Sequence, residues 1–143
     1  ICKAKERAIS FNQYNVYETL DKVNPKRGNN NFKNVVSVLH VNNFEESIEW
    51  YSKWLQRTPD ITPDTGIAEW QLAENAWIQV SIAPAPSLVG KSFVVCGVHN
   101  IETQREVCEN VGVNVSEIQD LGFIKIAQVI DPAGNTVMFV QEM

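Results

Sequence analysis

Residues able to do chemistry are few in this chain and widely spaced. There are two histidines, His40 and His99, and three cysteines, Cys2, Cys96 and Cys108. His40 lies in "VSVLHVNN"; an imidazole there could act as a base or hydrogen-bond a bound molecule. His99 stands at the expected start of a helix, facing water. Cys96 and Cys108 sit in apolar runs without C-x-x-C spacing, so they read as small buried hydrophobes and not as a disulfide framework or a zinc site. No Ser/His/Asp set, Cys/His pair or glycine-rich phosphate loop is recognisable. Glu45, Glu46 and Glu49 fall on a helix and are expected in solvent. What remains suits binding better than bond-making. Trp70 and Trp77 offer ring faces that stack on planar or cationic molecules, and Gln79 offers an amide nearby.

The elements that must carry these residues follow from composition and repetition. A chain of 143 residues fits one domain with a substantial core, and 44% apolar with 20% charged residues is ordinary globular composition. A net charge of −5 argues against nucleic acid or an anionic membrane as partner. No apolar run approaches the roughly 18 residues that span a bilayer. No signal peptide is visible at the start. The first residue is Ile1, as in a trimmed or partial chain, and a cytoplasmic location is expected.

One pattern occurs twice. "VSVLHVNNFEESIEWY" (36–51) repeats as "FVVCGVHNIETQREVC" (93–108) at an offset of 57 residues, which places Val38 on Val95, Asn43 on Asn100 and Glu49 on Glu106. Each copy opens with a β-branched run, hence a strand. Each then meets an Asn able to cap a helix, with acidic residues in the first turn. The first helix is predicted over about 44–55, with Phe44, Ile48, Tyr51 and Leu55 as its apolar stripe and Trp50 and Trp54 widening it. The second is predicted over about 101–111 and ends at Gly112 in the left-handed conformation.

After each helix come a short strand and then a hairpin. The first hairpin turns at Glu74-Asn75 and the second at Asp131-Pro132-Ala133-Gly134-Asn135. Asp131 and Asn135 are assigned to holding that turn, not to a site. The whole is α+β: two tandem βαβββ modules, about 35–85 and 92–141, joined by a Pro/Gly/Ser linker, with residues 1–34 as an N-terminal arm and connector. Two such modules can curl their sheets into a trough with the helices outside.

The doubled βαβββ unit, "VNNFEESIEWY" after a strand and "DPAGN" near the end together resemble the vicinal oxygen chelate superfamily, which includes glyoxalase I, extradiol dioxygenases, fosfomycin-modifying enzymes and bleomycin resistance proteins. The resemblance covers about 35–141. It implies a divalent metal at the base of the trough in the enzymes, held by His, Glu or Gln from the first and last strands of each module. The matching positions here are Val36, Gln79, Phe93 and Met138. Only Gln79 is a fair ligand for a hard ion, and a thioether suits copper(I) instead. The expectation is a site without metal or other cofactor and without catalytic residues. That leaves a trough like that of the bleomycin resistance proteins, which sequester a drug without altering it and are usually dimers with their troughs at the interface.

Alternation along the strands extends the list. With Val36 facing in, Val38 and His40 share its face, and Trp77 shares that of Gln79. A two-residue turn at Glu74-Asn75 would pair Leu72 with Trp77 and Trp70 with Gln79, turning Trp70 inward too, while a slip of one residue would send it outward. The expected ligand-binding set is therefore Val36, Val38, His40, Trp70, Trp77, Gln79, Phe93 and Met138. The expected function is metal-free binding of a small molecule, aromatic or drug-like, by a homodimer. Two other readings stand beside it: a metal-dependent lyase, isomerase or dioxygenase of the same superfamily, and a structural or regulatory dimer with a filled trough.

Overall fold

The computed structural model describes residues 28–143, of which Asn34–Met143 form one compact unit. Most of the expected N-terminal arm, with Cys2, lies outside the described residues. The element order is β1 (Val35–Val41), α1 (Phe44–Leu55), β2 (Ile61–Asp64), β3 (Ile67–Ala73), β4 (Ala76–Ile82), β5 (Phe93–Gly97), α2 (Ile101–Asn110), β6 (Gln119–Asp120), β7 (Ile124–Ile130) and β8 (Thr136–Glu142), with a single 3-10 turn at Pro86–Leu88 in the linker. The strands form two four-stranded sheets of the same plan, β1-β4-β3-β2 and β5-β8-β7-β6. In each, the first strand runs parallel to the last and the others pair antiparallel. This is the α+β architecture of two tandem βαβββ modules. No helix among the described residues is long and apolar enough to cross a membrane.

Local chemistry sets the helix ends. The Asn43 side chain accepts from the Glu46 N–H, and Asn100 does the same for Thr103, each satisfying a donor that a helix start leaves free. α2 closes where Gly112 takes φ +79°. The buried side of α1 centres on Ser47, Tyr51 and Trp54, with Phe44, Ile48 and Leu55 half-buried beside them.

One core serves both modules. Tyr51 and Trp54 of α1 meet Trp70 of the first sheet and Phe139 of the second, with ring centroids 6.1 Å apart for Tyr51–Trp70 and 5.4 Å for Trp54–Phe139. Leu39, Val41, Ile78, Val80, Val129 and Val137 complete it from the strands.

Trp70 corrects an expectation. It is fully buried on the helix-facing side of its sheet, not on the trough side, and its Nε1 donates to the Arg57 carbonyl at 3.1 Å. The turn at Glu74-Asn75 is as expected, with Ala73 opposite Ala76. A bulge then follows, because Gln71, and not Leu72, stands opposite Trp77. The extra residue shifts every later pair by one, so Trp70 faces Ile78 and Glu69 faces Gln79. An ion pair pins the bulge. Arg57 grips Asp60 through two nitrogens and donates to the Gln71 carbonyl at 2.6 Å, while Asp60 accepts the Gln71 N–H at 2.7 Å.

The β7–β8 turn fastens the modules together. Asp131 and Asn135 are buried, at 3% and 0% exposure. Asp131 Oδ1 accepts the N–H groups of Ala133, Gly134 and Asn135, and Oδ2 accepts Tyr51 Oη at 2.8 Å and Asn135 Nδ2 at 2.9 Å. Asn135 also donates to the His40 carbonyl and accepts from the Ser92 N–H. Gly90 passes so close that a Cβ there would overlap the Ala133 carbonyl oxygen, and its φ is +72°.

Replacing Gly90 with Ala should therefore destabilise the protein by at least about 2 kcal/mol, as left-handed strain adds to the overlap; chemical denaturation measures it. Tyr51→Phe removes a hydrogen bond to a buried carboxylate and should cost about 2 kcal/mol. Burial first, and Asp131 second, push the Tyr51 phenol far above its ordinary value of 10.0. The folded chain thus keeps a proton that the unfolded chain releases. The associated stability is fully present below pH 10 and should fall above it by about 1.4 kcal/mol per pH unit. The stability gap between wild type and Tyr51→Phe should narrow above pH 10 in denaturant titrations.

Candidate functional site

The two described helices pack against the core side of the sheets, through Tyr51, Trp54, Ile101 and Cys108, and no described secondary-structure element covers the opposite side. On this open face β1 presents Val36, Val38 and His40, and β4 presents Trp77, Gln79 and Ser81, paired as Val36–Trp77, Val38–Gln79 and His40–Ser81. In the second sheet Phe93 and Val95 of β5 share the face with Met138 of β8, and Val95 pairs with Met138. Seven of the eight residues expected at the site from sequence thus lie on open faces, five on the first sheet and two on the second. Trp70 alone is on the far side.

The backbone of β1 is held in place from outside its sheet. The His40 carbonyl accepts from Gly90 N–H at 3.1 Å and from Asn135 Nδ2 at 2.9 Å, and the Val38 carbonyl accepts from Ser92 Oγ at 2.9 Å. The linker and the β7–β8 turn therefore fix the strand on which Val36, Val38 and His40 stand.

Sequence reasoning missed Glu69. The bulge that buries Trp70 turns Glu69 onto the open face, where Gln79 Nε2 donates to its Oε2 at 2.6 Å. Ile61 of β2 stands on its other side. No signal in the sequence marks the bulge, since the Glu74-Asn75 turn predicts an unbroken ladder. Also missed were the residues around Met138. Met138 is half-buried and borders a cleft of about 280 Å³ with Ser116, Glu117, Gln119, Ile126 and Gln128. A wider recess of about 610 Å³ at the linker, bordered by Asn42, Ile82, Pro86 and Lys91, is away from these faces and has no chemistry-bearing cluster.

The donor chemistry does not suit a divalent metal. Of Val36, Gln79, Phe93 and Met138, two offer hydrocarbon and one a thioether, and Gln79 already bonds to Glu69. Catalytic zinc takes three protein N, O or S ligands, and a hard ion such as magnesium needs carboxylates. Among the described residues no group of three or more His, Cys, Asp or Glu stands together in a way that could hold one. The two described cysteines, Cys96 and Cys108, are poor nucleophiles as well. Burial pushes the Cys96 thiol up to about 11, and it raises that of Cys108 as well.

No family model matches the sequence, and no curated protein is detectably similar to it. Solved structures are similar. A glyoxalase/bleomycin resistance protein from Catenulispora acidiphila DSM 44928 superposes with a TM-score of 0.72 at 19% identity, covering 78% of this chain and 100% of that one. TnmS3, an antibiotic binding protein from Streptomyces sp. CB03234, gives 0.69 at 12% identity over 80% and 99%. A lactoylglutathione lyase from Agrobacterium tumefaciens gives 0.61 at 11% identity over 75% and 91%. With the doubled β-α-β-β-β plan and the matched sheet orders, these superpositions establish that the chain has the fold of the glyoxalase/bleomycin resistance proteins.

Proposed function

We propose that this protein binds a small, planar, aromatic molecule on its open faces without a metal and without transforming it. The observation that carries the reading is the composition of the four positions where the superfamily's enzymes place metal ligands: Val36, Gln79, Phe93 and Met138 offer apolar contact and one amide. Trp77, on the same face as Gln79, supplies a ring for stacking. A similar structure, TnmS3, is an antibiotic binding protein, which accords with sequestration as the task. Another is a lactoylglutathione lyase, so the fold alone does not choose between binding and catalysis.

The working unit is a homodimer in this proposal. Phe93 and Val95 are 60% and 58% exposed, and Val36 is 38% exposed. A second copy laid over them would close a trough from two open faces and bury that apolar surface. Cytoplasmic residence fits the two free thiols among the described residues.

Protein incubated with nickel, zinc, iron or manganese and then desalted should retain no stoichiometric metal by elemental analysis. One equivalent of tightly held ion would favour the lyase or dioxygenase reading. Titration with bleomycin and a panel of other planar aromatic compounds should quench tryptophan fluorescence, and Trp77→Ala should weaken binding of the best of them about tenfold. Absence of quenching across the panel would leave a structural dimer as the better account.

A further inference from the structure

The geometry points to a cation subsite centred on Glu69, so that the open face of the first sheet selects aromatic ligands bearing a positively charged group with N–H donors, such as an amidinium or a protonated amine. This rests on the binding reading above and adds the charge of the ligand.

Glu69 stands in a row across the sheet, Val38–Gln79–Glu69–Ile61. Its neighbours in that row are an amide and an aliphatic side chain, and it is only partly exposed to solvent. Gln79 Nε2 binds one carboxylate oxygen. The other has no hydrogen-bond partner, and Glu69 has no ion pair, among the described residues. No Lys or Arg lies on this face of β1, β3 or β4.

Trp77 is opposite Gln71, so it is the diagonal neighbour of Glu69 on the same face. Such neighbours are about 7–8 Å apart, close to the roughly 5 Å from the middle of a bicyclic ring to the nitrogen of an attached group plus the roughly 3 Å of an N–H···O bond. A ring stacked on Trp77 would therefore bring a cationic substituent to the free carboxylate oxygen. A charge-assisted N–H···O bond formed there, away from bulk water, is stronger than a neutral one. The same carboxylate repels anionic ligands. The indole adds cation–π attraction of the same sign.

The test uses three isosteric probes on the intact chain at low ionic strength: 2-naphthamidine, 2-naphthamide and 2-naphthoate, cationic, neutral and anionic at pH 7. Calorimetry should give at least a tenfold preference for the amidine over the amide and weakest binding of the naphthoate, with the preference shrinking as salt is added. Glu69→Gln, shown by circular dichroism and thermal melting to be folded, should reduce the preference below about twofold. Equal binding of amidine and amide by the wild type, or a preference that survives Glu69→Gln, would overturn the cation subsite while leaving the binding function standing. If none of the three probes binds, the binding function falls and the subsite falls with it.

Discussion

The structure depends on one buried carboxylate. Asp131 is almost entirely buried, and a carboxyl group in such a place needs other dipoles to replace its hydration. Five hydrogen bonds do so: three from the backbone of its own turn, one from Asn135 and one from Tyr51 in the other module. The last bond makes a local turn into a long-range clamp. Tyr51 cannot reach Asp131 unless α1 is docked, and docking α1 is what brings Trp54 onto Phe139. Satisfying the carboxylate and burying the shared aromatic core are therefore the same event.

That clamp also governs the surface. Asn135, held by Asp131, reaches the His40 carbonyl, and Ser92 reaches that of Val38. These are backbone contacts on the strand whose side chains point the other way, onto the open face. Precise placement of Val36, Val38 and His40 thus comes from polar chemistry on the edge of their strand. The second determinant is the Arg57–Asp60 pair. Hydrogen bonding to Arg57, and then to the Gln71 N–H, holds the Asp60 carboxyl below its usual range, and the pair keeps the bulge at Leu72 in place. Exchange of one residue across the sheet gives the open face a carboxylate where it would have had a second indole.

Much of the fold was legible in the sequence because its signals are local. Asn43 and Asn100 mark helix starts, Gly112 a helix end, and "DPAGN" a turn whose side chains bond to their own backbone. Repetition of these signals at a fixed spacing reveals the doubled architecture. Period-two alternation from Val36 and Gln79 likewise places Val38, His40 and Trp77 on the open face of the first sheet. It fails at Trp70 because pairing register is a property of two strands at once. The bulge is stabilised by Arg57 and Asp60, more than ten residues from Gln71, and neither carries any mark of that role. The cleft beside Met138 was hidden for a similar reason: Ser116 and Glu117 come from an irregular segment and Gln119 from a two-residue strand, too short for any periodicity to be read.

The clamp is also one-sided. In the 57-residue repeat the position of Tyr51 is taken in the second module by Cys108, and the five-residue turn that holds Asp131 is matched in the first module by the two residues Glu74-Asn75. One half supplies only the hydroxyl and the other only the acid. A pair of first modules would have only the exposed Glu74, with no turn to bury an acid against their phenols, and a pair of second modules would bury acids facing thiols. At this contact neither half can stand in for the other, which gives a near-repeated molecule a fixed left and right.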